Sequence, residues 1–183
     1  MNTLTGIRVV SLSVNVPGPV AAAELRDLGA EVCKIEPPSG DPLAQFSQAW
    51  YNRLCANMTV LTCDLKTEAG MADLKRRLAH ADLLLTASRP AALERLDLDW
   101  ATLHKAFPRL CHVGITGYPP PHENQAGHDL TYQASQGTLQ PPAMPRVLLA
   151  DMAGAQQAVT TALALLLTRE RYGKAGQAWV ALA

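Results

Sequence analysis

The sequence has no net charge, because its 16 lysines and arginines balance its 16 aspartates and glutamates. Proteins that bind nucleic acid or an anionic membrane surface usually carry a basic patch or tract, and none is present here. The most apolar segment, residues 158–167, is shorter than the roughly 20 residues that a membrane span requires. Residues 1–7 lack a charged stretch followed by an apolar one, so we expect no signal peptide. These observations predict neither a nucleic-acid nor a membrane partner.

Motifs that would hold a metal ion or a dinucleotide are also missing. The four cysteines form no C-x-x-C pair, and no two of the five histidines stand four residues apart. This spacing argues against a metal site and favours reduced thiols in a cytoplasmic protein. The first strand-to-helix turn, residues 14–19, has one glycine where a dinucleotide-binding turn has three. We therefore expect no metal and neither NAD nor FAD.

Apolar residues make up 48% of the chain and charged residues 17%, which is typical of a globular domain. Short β-rich segments alternate with helical ones. The predicted strands are 7–12, 31–35, 59–64, 82–86, 110–116 and 178–182, with 147–150 as a weaker candidate, and the main predicted helices are 21–28, 67–79, 91–96, 100–106 and 153–171. This pattern predicts a single α/β domain over residues 1–183, with an open, mostly parallel, doubly wound, Rossmann-like sheet of about five or six strands and helices on both faces.

Two side chains stand out as candidates for chemistry. Asp151 follows the candidate strand 147–150 and precedes a helix, where an aspartate can cap the helix, react with a ligand, or do both. His128 lies between Gly127 and Asp129 in a predicted loop, where a local turn contact and an acid–base role are both open. The residue pattern alone does not choose between these roles.

A series of short motifs resembles the class III CoA-transferase family, which includes formyl-CoA transferase, carnitine CoA-transferase and α-methylacyl-CoA racemase. The motifs occur in the family's order, at residues 4–12, 17–19, 28–32, 34–37, 40–41, 64–66, 89–90, 108–110, 115–117, 127–129 and 173–177. Each motif is weak alone, but together they cover nearly the whole chain. Family members are considerably longer, so the chain resembles their N-terminal half: a truncated, partly diverged member without the smaller second domain.

The resemblance implies an enzyme that acts on acyl-CoA thioesters, with coenzyme A or acyl-CoA as substrate. In a transferase, Asp151 would attack the thioester and form an acyl-aspartyl anhydride that passes CoA to another acid. In a racemase of 2-methylacyl-CoA substrates, His128 and Asp151 would exchange the α-proton from opposite faces. Asp129 would be a supporting carboxylate, and Arg89 and Lys34 would contact CoA.

The chain departs from the family pattern at several places. Residues 127–132 resemble the racemase branch, but the basic turn that precedes the third strand is replaced by 55–59, which has no positive charge. The loss of one charge-assisted contact to a phosphate costs about 1.5–3 kcal/mol, and Arg53 is the nearby substitute. A glycine-rich loop has become the proline-rich 118–121. These changes leave open a non-catalytic acyl-CoA-binding or partner subunit, and an inactive remnant.

Two apolar segments predict an assembly. Residues 158–167 are apolar on nearly every face, and no helix follows the strand-like residues 179–183 to shield them. An exposed apolar helix or a bare hydrophobic strand usually marks an interface. We therefore expect a homodimer or larger assembly, or a heteromer with a longer paralogue.

Overall fold

A six-stranded sheet, in the order β3-β2-β1-β4-β5-β6, forms the centre of the fold, and every neighbouring pair is parallel. The computed structural model describes residues 2–183. The strands are β1 (Arg8–Ser11), β2 (Glu31–Glu36), β3 (Thr59–Thr62), β4 (Leu83–Thr86), β5 (Cys111–Thr116) and β6 (Gln177–Ala181). The helices are α1 (Pro17–Asp27), α2 (Leu43–Phe46), α3 (Gln48–Cys55), α4 (Glu68–Leu78), α5 (Pro90–Glu94), α6 (Trp100–Ala106), α7 (Asp129–Ser135) and α8 (Leu149–Tyr172). The predicted open, doubly wound α/β fold is confirmed.

Alternate side chains of the central strands enter two separate cores. On β1, Val9 faces the core that α1 and α8 cover, whereas Val10 faces the core that α4, α5 and α6 cover. On β4, Leu83 and Leu85 enter the first core and Leu84 the second. Strands of a parallel sheet that are buried on both faces need apolar residues at successive positions. The uninterrupted leucines of β4 therefore identify it as a central strand.

Helix α8 packs against α1 and β5. Its side chains at Ala158, Ala162 and Leu166 are buried, whereas Leu167 is 52% exposed. Residues 158–167 were predicted to need packing partners on both sides. Helix α1 and strand β5 of the same chain bury one side of this segment. Strand β6 forms the edge of the sheet beyond β5. The predicted assembly is not tested by these contacts and stays a prediction.

No helix in residues 2–183 combines the length and apolarity that crossing a membrane would take.

The predicted strand at 147–150 is wrong, because α8 already begins at Leu149. No side chain from the residues just before α8 caps it. Instead, the backbone N–H of Asp151 donates to Oδ1 of Asp129, 22 residues earlier, at 3.0 Å. A carboxylate from another element thus satisfies one of the donors that every helix start leaves open. Asp151 is therefore neither a strand end nor an N-cap, and it lies in the first turn of α8.

Helices α3 and α7 were not among the predicted elements. Helix α3 begins after Ser47, whose hydroxyl accepts the backbone N–H of Trp50. Helix α7 begins after His128, whose backbone N–H donates to the hydroxyl of Thr131 at 2.9 Å. Both helices are too short to show a clear apolar period. Because α7 begins at Asp129, His128 and Asp129 lie at the start of a helix rather than in the open loop that was predicted.

Candidate active site

A cavity of about 790 Å³, here called the first cavity, opens beyond the carboxyl ends of β1, β4 and β5. Doubly wound parallel sheets bind their ligands at this edge. The β1–α1 turn, helices α2 and α3, and the starts of α7 and α8 form its walls. His128, Asp129 and Asp151 all line it. The structure therefore brings the three residues predicted to be catalytic into one cleft.

Asp151 has an unusual carboxyl group. Its pKa is raised from 3.8 to about 6, chiefly by burial and also by the negative charge of Asp129, while the charge of His128 opposes the rise. The positive end of α8 favours the ionised form, so the carboxyl group is still mostly ionised at neutral pH. A carboxylate with a pKa near the working pH is both a better base and a better nucleophile than an ordinary one.

Asp129 is buried and holds two helices together. Its Oδ1 accepts the backbone N–H of Asp151, and its Oδ2 accepts Nε2 of Gln133 at 2.5 Å. The same Gln133 amide donates to the carbonyl of Val147 at 3.2 Å. Asp129 therefore fixes the start of α8, and with it the position of Asp151. Its own charge also disfavours ionisation of the neighbouring carboxyl.

Tyr132 is a residue of this site that sequence reasoning missed. Its side chain is buried against Gly117 and Gly127: a Cβ added at either glycine would lie 2.4 Å or 2.3 Å from atoms of the tyrosine ring. Burial raises the pKa of Tyr132 to about 12, with a further contribution from the charge of Asp151. The phenol therefore stays protonated and is a neutral hydrogen-bond donor at the cavity wall. Its position within the 127–132 motif was the available signal.

Lys34 lies beneath the cavity wall and has no exposed surface. Its Nζ contacts Oδ2 of Asp41 at 2.8 Å and Oε1 of Glu36, and the hydroxyl of Tyr51 also donates to Glu36. Both partners are carboxylates of the protein itself. This burial contradicts the predicted contact between Lys34 and CoA.

The ion cluster of Lys34, Glu36 and Asp41 instead shapes the first cavity. Oδ1 of Asp41 accepts the backbone N–H groups of Asn15 and Leu43, both at 2.9 Å. Asn15 lines the cavity from the β1–α1 turn, and Leu43 lines it from the start of α2. The cluster therefore joins the β1–α1 turn to the loop before α2.

Replacing the buried lysine tests this structural role. Lys34→Met removes the only cation of the cluster and leaves two buried carboxylates without a cationic partner, so we expect the free energy of unfolding to fall by about 3–5 kcal/mol. Urea denaturation measures the loss. Lys75→Met, at an exposed position of α4, is the matched control and should change stability by less than about 0.5 kcal/mol. Equal effects of the two substitutions would contradict a structural role for Lys34.

A second cavity of about 710 Å³ lies beside the first, and Val14 lines both. It is bounded by residues at or after the carboxyl ends of β1, β2, β3 and β4. Lys66 and Arg95 bring positive charge to it, and Glu36 and Asp64 bring negative charge. Arg89 is exposed and lines a smaller adjoining cavity that also includes Arg95. Three cations are thus grouped near one end of the combined site. The sequence prediction included Arg89 but not Lys66 or Arg95, although Lys66 stands in the 64–66 motif.

The protein is thus an α/β protein whose first cavity lies at the carboxyl ends of the parallel strands and contains the carboxyl group of Asp151, whose pKa is raised. The family described as CoA-transferase family III matches residues 4–183. The chain therefore belongs to the class III CoA-transferase family, as the motifs predicted.

Individual relatives include both transferases and a racemase. The chain is 32% identical over 188 residues to succinyl-CoA–D-citramalate CoA-transferase of Chloroflexus aurantiacus, covering 93% of this chain and 47% of the relative. It is 34% identical over 181 residues to human α-methylacyl-CoA racemase, covering 93% and 46%. A crystal structure of a hypothetical protein from Mycobacterium tuberculosis superposes with a TM-score of 0.91 at 32% identity, over 100% of this chain and 55% of the other. The chain spans about half the length of the curated relatives it matches.

Proposed function

We propose that the chain acts on acyl-CoA thioesters and that Asp151 is the group that reacts with the substrate. The observation that carries this proposal is the raised pKa of Asp151, in a cleft that it shares with His128. Family membership supplies the substrate class, since the relatives named above are a CoA-transferase and an acyl-CoA racemase.

In the transfer reaction, a carboxylate oxygen of Asp151 attacks the thioester carbonyl carbon. The carbon–sulfur bond breaks, CoA leaves as the thiolate, and the acyl group remains on Asp151 as a mixed anhydride. Reaction of this anhydride with CoA and an acceptor carboxylate releases the donor acid and yields the acceptor thioester. Asp129 positions the reacting carboxylate, and the protonated phenol of Tyr132 is a candidate donor to the carbonyl oxygen as it gains negative charge.

The second candidate function is α-proton exchange, and the position of His128 in the same cavity favours it. One of His128 and Asp151 removes the α-proton of the acyl group, and the electron pair moves into the carbonyl to form an enolate. The other residue returns a proton to the opposite face. This reaction needs both residues, whereas the transfer needs only the carboxylate.

The two cavities suggest how a CoA thioester would lie. The nucleotide and its phosphates would occupy the second cavity, near Lys66, Arg89 and Arg95. The pantetheine arm would pass Val14, which lines both cavities, and bring the thioester to Asp151 in the first. The positively charged side chains would thus contact the phosphates, and the carboxylate of Asp151 would contact the carbonyl carbon of the thioester.

We also propose that the chain functions in an assembly, as a homodimer or with a longer paralogue. Leu167 on α8 and Trp179 on the edge strand β6 are 52% and 38% exposed, which supports an interface at α8 or at this edge of the sheet. A non-catalytic partner subunit remains the rival reading. A relative named as the alpha subunit of succinyl-CoA–L-malate CoA-transferase from Chloroflexus aurantiacus is 34% identical over 125 residues.

Calorimetric titration of the chain with free CoA tests the binding mode. We expect Lys66→Ala and Arg95→Ala each to weaken CoA binding roughly tenfold, because each removes a charge-assisted contact to phosphate. Lys105→Ala, at an exposed position of α6 that lines none of these cavities, is the control and should leave the affinity unchanged. No measurable binding of CoA or any CoA thioester would refute the proposed function. Binding that is insensitive to Lys66 and Arg95 would refute only the proposed orientation.

A further inference from the structure

The walls of the first cavity are mostly apolar. Phe46 and Trp50 stand on one side, on α2 and α3, and Leu130 and Leu148 stand on the other, near the starts of α7 and α8. Phe46 is 81% exposed, so an apolar ring faces the open cleft. Among residues 2–183, no lysine or arginine lines this cavity, and its charged groups are His128, Asp129 and Asp151.

We propose that the acyl group handled in the first cavity is an apolar monocarboxylic one, and that this chain discriminates against acyl groups that end in a second carboxylate. The inference rests on the proposed function, because it places the thioester carbonyl at Asp151. The acyl chain then extends from Asp151 along the surface that Phe46, Leu130 and Leu148 form. Contact with these side chains removes apolar area from water and favours an aliphatic or aromatic acyl group.

A distal carboxylate would be unfavourable in this position. It would lose part of its hydration without gaining a cationic partner, and a carboxylate is costly to desolvate without one. It would also be repelled by the negative charges of Asp129 and Asp151, which line the same cavity. His128 does not compensate, because its charge already offsets that of Asp151. Arg89 influences Tyr132 electrostatically but lines a different cavity.

Family membership does not make this choice. The relatives include a transferase named for succinyl-CoA, one named as a probable fatty acyl-CoA transferase, and a racemase of α-methylacyl-CoA. One fold therefore accepts both charged and apolar acyl groups. The discrimination must come from the residues that line the cavity, and in this chain those residues favour the apolar group.

Two thioesters of matched shape provide the test. Succinyl-CoA and 4-methylpentanoyl-CoA have the same number and branching of heavy atoms in the acyl group and differ in the distal charge. We expect calorimetric titration of the chain to give a dissociation constant for succinyl-CoA at least about tenfold higher than for 4-methylpentanoyl-CoA. The difference should shrink as salt is added, because ionic screening weakens the repulsion from the aspartates.

A charge introduced at the cavity mouth should reverse part of this preference. Phe46→Arg places a cation beside the acyl group at a position too exposed for the substitution to affect folding strongly. We expect it to strengthen succinyl-CoA binding about fivefold or more, and to weaken 4-methylpentanoyl-CoA binding. Phe46→Gln, which removes the ring without adding charge, should weaken the apolar ligand and leave succinyl-CoA unimproved.

The outcomes separate the two proposals. If the chain binds neither thioester, the proposed function itself fails. If it binds both with equal affinity, or prefers succinyl-CoA, the proposed function stands and the apolar preference is wrong. If Phe46→Arg and Phe46→Gln act alike on succinyl-CoA, charge at the cavity mouth does not set the preference, and this inference is overturned.

Discussion

Replacement of Asp151 by asparagine is expected to abolish both CoA transfer and α-proton exchange. The amide has nearly the same shape, but it can neither attack the thioester nor accept the α-proton at neutral pH. Removal of a group that forms the covalent bond lowers turnover by about 10⁴-fold or more. Glu94→Gln, at an exposed position of α5, is the matched control and should leave turnover unchanged.

The covalent intermediate gives a direct readout. Wild-type protein mixed with an acyl-CoA and hydroxylamine should acquire a hydroxamate at Asp151, because hydroxylamine attacks the mixed anhydride. Mass spectrometry of the digested protein locates the modification. The rate of its formation should fall as the pH drops below about 6, where Asp151 takes up its proton. A variant Asp151→Asn that keeps a substantial part of the transfer activity would disprove the assignment.

The same substitution should stabilise the fold at neutral pH. The pKa of Asp151 is raised in the folded protein, from 3.8 to about 6, so the folded state binds the proton more tightly than the unfolded state. Stability is therefore lost as the pH rises from about 4 through 6, and the loss is complete above 6. Allowing for partial solvation, Asp151→Asn should increase the free energy of unfolding by about 1–2 kcal/mol at pH 7 and by little at pH 4. Urea denaturation at the two pH values measures this.

The fold could be predicted from the sequence because its central strands, such as β4 and β5, are buried on both faces. Uninterrupted apolar runs such as 83–85 predict central parallel strands, and the helical segments between them predict crossovers. His128 and Asp151 could be singled out from the family resemblance, although the strand predicted just before Asp151 was wrong. These signals are local, and each reports on the environment of its own segment.

Contacts between distant segments could not be predicted in this way. The start of α8 depends on a hydrogen bond from the backbone of Asp151 to the Asp129 side chain, and no pattern near residue 149 reports it. Lys34 was expected to contact CoA because it is a cation in a family motif, but Glu36 and Asp41 already neutralise it inside the domain. Charge is visible in the sequence, whereas the partner that satisfies it depends on the packing.

Replacement of His128 by alanine is expected to separate the two candidate reactions. Exchange that inverts the α-carbon requires an acid–base group on each of its faces, so the loss of the imidazole should lower the rate of this exchange by about 10²–10⁴-fold. Transfer requires the carboxylate of Asp151 and should fall by less than about tenfold. Interconversion of the two enantiomers of 2-methylbutanoyl-CoA measures this exchange, and formation of a new thioester from an added carboxylic acid measures transfer.

The pH profile of the residual transfer activity shows whether His128 acts through its charge. The positive charge of His128 lowers the pKa of Asp151, so its removal should raise that pKa and move the acid limb of the profile to higher pH. His80→Ala, which removes an exposed imidazole from the far end of the sheet, should change neither rate nor profile. If His128→Ala suppresses exchange and transfer equally and leaves the acid limb in place, the histidine supports the shape of the cleft and takes no part in proton transfer. If exchange alone is lost and the limb moves, the cleft performs proton exchange with the histidine and the carboxylate as its two acid–base groups.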